Sequence, residues 1–163
     1  MKWTLCAALF VCALVGNAAA AEAPATLPDY SKTPEELSAV KATGGPGGSG
    51  NAKVEVVTIL GDPSKPGQYA QLLKVQAHAE IPSHHHAGDR VGTVLSGTWH
   101  FGYGPKFDKS KLRILPTGSV YTEPSDSPHF AMTADKPVTV LITGNGPTDT
   151  IYEDPKDEPT AMK

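Results

Sequence analysis

From Lys53 to Tyr152 the chain is cut into short β-type runs by glycine and proline, and that punctuation limits the fold more than any other feature. Val54 to Leu60 is one run, ended by Gly61-Asp62-Pro63, and Tyr69 to Ala77 is another, opened by Pro66-Gly67. Val91 to Ser96 and Thr98 to Tyr103 flank Gly97 and read as a hairpin. Leu112 to Leu115, Ser119 to Glu123, His129 to Thr133, Val138 to Thr143 and Thr148 to Tyr152 complete nine expected strands. With 16 glycines and 15 prolines among 163 residues, long helices have no room. An all-β sandwich or barrel over residues 53–153 is the expectation.

The segments before the strands read differently. Lys2 followed by the apolar run Trp3 to Val15 and by Ala18 to Ala21 has the form of a signal peptide over residues 1–21, cleaved before Glu22. The run is too short to span a bilayer. A periplasmic or secreted product is therefore expected, with no membrane span once the signal is removed. Cys6 and Cys12 both lie in this leader, so disulfides, thiolate ligands and cysteine nucleophiles drop out together. Residues 22–163 are one domain's worth of chain. Loss of Lys2 takes the formal charge from −3 to about −4, which excludes a basic nucleic-acid surface.

Residues 22–52 read as an irregular arm. Thr33-Pro34-Glu35-Glu36 has the capping-box pattern for one helical turn, and Gly44 to Gly50 reads as a flexible linker. No Lys-Ser or Lys-Thr pair ends that glycine run, so it is not a phosphate loop. The charged residues 154–163 are expected as a surface tail.

Four of the six histidines fall at 84, 85, 86 and 129. On a strand, His84 and His86 share a face while His85 points away. Two imidazoles so placed can converge on one ion if a third ligand arrives from elsewhere, and His129 is the best candidate. Three consecutive histidines also occur in solvated loops. Pro82 before the cluster and Gly118, Pro124 and His129 downstream favour a built site.

These positions resemble the cupin superfamily, whose motifs are G-x5-H-x-H-x3-E-x6-G and G-x5-P-x-G-x2-H-x3-N. His84, His86 and Gly97 keep the first, and Gly118, Pro124 and His129 keep the second. The resemblance covers Val54 to Tyr152 and extends to a group of small exported cupin-domain proteins. It implies a jelly-roll barrel (double-stranded β-helix), one divalent transition metal on the three histidines, and a homodimer paired through sheet edges.

Departures from the motifs bear on chemistry. His78, Asp126 and Thr133 replace the motif's Gly, Gly and Asn, and Arg90 stands where the ligand glutamate belongs. Arginine stays protonated and has no lone pair for a cation. Three outcomes are open. Three histidines alone hold the metal, which is the favoured one; or Asp89 or Glu123 supplies a carboxylate; or the site has become an anion pocket gripped by Arg90. In the favoured reading Arg90 orients an anionic substrate, although an outward, solvated Arg90 is the alternative. Gln71 is a second candidate for lining the barrel and binding substrate. Trp99, Phe101 and Tyr103 share one face and read as core or subunit interface, with His100 on the other face and His78 and His85 on the surface.

Imidazole suits Fe, Mn, Ni, Cu and Zn alike. The reading is a metal-dependent enzyme, dioxygenase- or isomerase-like, acting on a small organic molecule, an anionic one where Arg90 orients it; its competitor is a non-catalytic small-molecule or metal binding or sensing module.

Overall fold

The computed structural model describes residues 27–42 and 47–159. The expected leader, residues 22–26 of the arm, Gly44 to Pro46 of the glycine run and residues 160–163 lie outside them. A short helix, α1 (Pro34–Ser38), opens the described chain, with the expected box in place. Glu36 N donates to Thr33 Oγ1 at 3.3 Å and Thr33 N to Glu36 Oε2 at 2.7 Å. No helix among the described residues is long and apolar enough to cross a membrane.

Ten strands follow: β1 (Val54–Leu60), β2 (Gly67–Val75), β3 (Glu80–His85), β4 (Arg90–Ser96), β5 (Thr98–Tyr103), β6 (Arg113–Pro116), β7 (Val120–Glu123), β8 (His129–Met132), β9 (Val138–Gly146) and β10 (Ile151–Tyr152). They build two antiparallel sheets, ordered β1-β2-β9-β4-β7 and β10-β3-β8-β5-β6. The expected jelly-roll barrel is present.

Inward-facing side chains alternate along β7 and the first half of β9, whereas β2 is buried at every residue from Tyr69 to Leu73; the inward sets meet between the sheets. Val138, Val140 and Ile142 of β9 are almost fully buried. Trp99 and Phe101 belong to the same core, while Tyr103 at the end of their face is exposed. Burial on this scale, at roughly 25 cal/mol per Å² of apolar area, is what holds the sheets together.

The hairpin expected around Gly97 is not formed. β4 pairs with β9 and β7, whereas β5 pairs with β6 and β8, so Gly97 turns the chain from one sheet into the other. Its φ of +81° favours glycine, and a Cβ there would meet the Pro137 carbonyl at 2.5 Å. A turn glycine between two β runs is the same local signal whether the next strand pairs with its predecessor or crosses to the facing sheet. The tenth strand, β3, escaped the strand count because Pro82, Ser83 and the histidines give it no apolar alternation.

The second correction concerns the glycine run. Within it, Gly47 and Ser49 are buried against the barrel. The Gly47 carbonyl accepts from Arg90 Nη1 at 2.8 Å, the Tyr152 hydroxyl donates to the Ser49 carbonyl, and Asn51 Nδ2 donates to the Glu80 carbonyl at 2.9 Å. A Cβ on Gly47 would lie 2.8 Å from Thr148 Cγ2 and 3.0 Å from Arg90 Nη1. Glycine serves here for close approach as well as for freedom. Glu153 to Pro159 are exposed.

Candidate metal centre

β3 and β8 are neighbours, and their register sets His84 directly opposite His129. His86 follows β3 by one residue. The three ring centroids lie 4.5 to 5.1 Å apart, and one ring nitrogen of each lies within 4.8 Å of the others. His85 points the other way, its Nδ1 2.6 Å from Glu153 Oε1.

Each of the three rings is held by a backbone carbonyl at Nδ1. His84 meets Pro82 O at 2.8 Å, His129 meets Ser127 O at 3.0 Å, and His86 meets Asp149 O. Nδ1 must donate to a carbonyl, so Nε2 keeps its lone pair. The Nε2 atoms of His86 and His129 are buried and have no hydrogen-bond partner. Buried ring nitrogens left this way are what a metal site needs, with the second partner already fixing the tautomer. Three nitrogens on one ion at about 2.1 Å each sit roughly 3.0–3.4 Å apart, so the rings close in by up to about 1.8 Å to share an ion.

The rings are neutral near pH 7. Burial, then the neighbouring His129, holds His84 down at about 4. Burial and the Arg90 charge hold His86 at about 2 against the pull of Glu123, and burial also lowers His129. The sign of the resulting pH dependence follows. In the unfolded chain these imidazoles take up protons as pH falls through 6.5, whereas the folded rings resist until about 4 and below. The metal-free protein is expected to lose stability steadily from pH 6.5 downward, by about 3 kcal/mol from His84 alone at pH 4. Glu123, held at about 2 against 4.5, adds to the loss below pH 4.5. Urea denaturation of metal-free protein between pH 7.5 and 4 checks this; a flat profile from 7 to 5 contradicts it.

The residue at the ligand-glutamate position points inward. Arg90 is 3% exposed and faces Glu123, its Cα partner on β7. Arg90 Nε donates to Glu123 Oε2 at 2.5 Å, and Nη2 lies at the same distance. Burial raises the Glu123 carboxyl, but Arg90 together with His129 and His86 more than offsets it. The same Oε2 stands 3.6 Å from His86 Nε2 and 3.7 Å from His129 Nε2. The carboxylate missing from position 90 thus enters the site from the adjacent strand, with an arginine behind it.

Three expectations need correction. Arg90 is neither a solvated surface residue nor an open anion anchor, since its guanidinium is committed to Glu123 and the Gly47 carbonyl. Asp89 lies in the turn before β4, exposed, its Oδ1 accepting from Ser125 N at 2.7 Å, and is no ligand. Gln71 does face inward, but beneath Gly47, where its Nε2 donates to Thr58 Oγ1 at 3.3 Å; it does not line the cavity beside the histidines.

That cavity measures about 20 Å³. Sequence reading missed part of its wall: Gly47 and Ser49 close it, and Tyr121 lines it beside Glu123. Alternation along Ser119 to Glu123 places Tyr121 and Glu123 on one face, a signal available in the sequence. Burial, then the Glu123 charge, pushes the Tyr121 hydroxyl well above its usual range, so it stays protonated. At this volume the cavity has room for about one water-sized group.

Two facing antiparallel sheets in this strand order form a jelly-roll barrel, and the chain shares that fold with solved cupin structures. It is similar to the polyketide cyclase RemF from Streptomyces resistomycificus, with a TM-score of 0.57 and 16% identity over 76% of this chain and 86% of that one. An RmlC-like cupin from Ralstonia eutropha JMP134 matches with a TM-score of 0.52 and 25% identity over 71% and 69% of the two chains. One from Shewanella frigidimarina NCIMB 400 matches with 0.52 and 15% over 73% and 92%. The chain spans 47% of the length of DMSP lyase DddQ from Ruegeria pomeroyi DSS-3, which it matches at a TM-score of 0.48 and 21% identity over 58% of its own length. No family model matches the sequence, and no curated protein does.

Proposed function

We propose that His84, His86 and His129 hold one divalent transition metal, with Glu123 as the neighbouring carboxylate, in a metal-dependent enzyme acting on a small organic molecule. The observation that carries this reading is the shared arrangement of the three rings. Each gives Nδ1 to a backbone carbonyl and is neutral, and the Nε2 atoms of His86 and His129 are buried without partners. The donor set of imidazoles with one carboxylate accommodates Fe, Mn, Ni, Cu or Zn. An ion there supplies Lewis-acid chemistry or, if redox-active, dioxygenase-type oxidation.

The chain's own groups then have defined tasks. The backbone carbonyls orient the rings. Arg90 holds Glu123 ionised and limits how far its carboxylate leans toward the histidines. The Tyr121 hydroxyl, protonated and beside Glu123, helps to position that carboxylate.

One observation favours the second reading, a metal-binding or sensing module without turnover. The cavity holds about one water-sized group while Gly47 and Ser49 are seated. Elemental analysis of the purified protein is the first test: near one transition-metal ion per chain is expected, and no retention overturns both readings. Oxygen uptake or conversion across a panel of small acids and phenols then separates enzyme from module. The same proposal takes the protein as exported and dimeric, which the N-terminal sequence of the mature chain and its mass in solution check.

A further inference from the structure

A second hollow lies apart from the histidine cavity. It is a groove of about 530 Å³ between β6 and β7, the strands that end the two sheets on the same side of the barrel. Its volume falls in the range of small-molecule sites, about 300–1,000 Å³. Phe101, Leu115 and Tyr121 supply an apolar floor, and the Phe101 and Tyr121 rings lie 4.3 Å apart. Tyr103 stands at the rim, its hydroxyl donating to the Thr122 carbonyl at 2.7 Å and tying β5 to β7.

Lys111 and Arg113 also line this groove. Both are exposed, and among the described residues neither forms an ion pair with a carboxylate. Arg113, and Lys111 near Asp108 but outside ion-pair distance of it, stand beside an apolar floor and are complementary to one class of ligand. We infer that the groove binds an organic anion with an apolar body, its carboxylate meeting Arg113 and Lys111 and its body lying on Phe101 and Tyr121. Arginine takes a carboxylate through paired hydrogen bonds, and the desolvated rings supply contact area. A neutral ligand of the same shape leaves the cations without a partner.

The position gives such a ligand a link to the proposed metal centre. Phe101 and Tyr121 also line the histidine cavity, and Phe101 stacks on His129 with centroids 5.4 Å apart. The groove therefore lies one layer of rings from the histidines. Binding in it does not depend on the metal reading, and the two fail separately.

Titration of isotope-labelled, metal-free protein with 3-phenylpropionate, followed by amide chemical shifts, tests the inference. Saturable shifts centred on residues 101–103, 111–115 and 120–122 are expected, with a Kd in or below the millimolar range, about −4 kcal/mol or better. Lys111→Gln combined with Arg113→Gln is expected to weaken binding at least about tenfold, and 3-phenylpropionamide to bind at least about tenfold more weakly than the acid. Both side chains are exposed, so an unchanged melting temperature verifies the fold of the double variant. No saturable shift, shifts centred elsewhere, equal binding of acid and amide, or indifference to the double substitution each overturns the inference. So does a dimer whose dissociation by Val120→Lys shows a second copy in the groove.

Discussion

His86→Ala is expected to abolish stoichiometric metal retention while leaving the barrel folded. One of the three proposed nitrogen ligands disappears, and with it the ring that Asp149 O holds in place. Loss of an outer partner of a metal ligand typically reduces affinity about 10–100-fold, so loss of the ligand itself is expected to exceed about 100-fold. The variant should also lose the rise in melting temperature that added metal gives the parent, since an ion that binds only the folded state stabilises in proportion to its affinity. His85→Ala is the matched control. It lies one residue away, faces outward and bonds Glu153, so metal content should not change. Retention by the His86 variant, or equal loss in both, rejects the assignment.

Arg90→Met carries the largest expected change in stability. It leaves the Glu123 carboxylate, itself 3% exposed, without its partner. Breaking a buried ion pair by removing one side costs about 3–5 kcal/mol, most of it from the stranded charge. Combining Arg90→Met with Glu123→Leu removes the charge as well and should recover most of that loss, because a buried pair replaced by apolar groups is often neutral. Added metal separates the roles further. With Arg90 gone, Glu123 is free to turn fully to an ion between the histidines, so metal is expected to stabilise Arg90→Met more than the parent. Urea denaturation of the three proteins, with and without metal, reads all of this. A single variant within about 1 kcal/mol of the parent, or a double variant no better than the single, contradicts the account.

Much of the centre was legible because its signal is local. His84 and His86 share a face by strand alternation, and the spacing of Gly97, Gly118, Pro124 and His129 matches a motif that can be read without coordinates. Arg90 is legible as a departure, since no cationic side chain ligates a metal. Its actual role was not. Whether it faces water, substrate or Glu123 depends on the β4–β7 register, which pairs residues 33 positions apart. For the same reason Asp89 and Glu123 were equal candidates in sequence; the turn takes one outward to Ser125, while β7 takes the other into the cavity.

The amino-acid order by itself determined short strands, an inward histidine pair and the third histidine, because alternation and turn chemistry act over a few residues. Only the tertiary structure decided that Gly97 carries the chain from one sheet to the other, and that a glycine run with a linker's composition seats against the barrel. It also decided that a carboxylate reaches the histidines from the neighbouring strand. Each of these is a contact between distant segments, set by which strands pair and what space remains between them, and no local pattern encodes that.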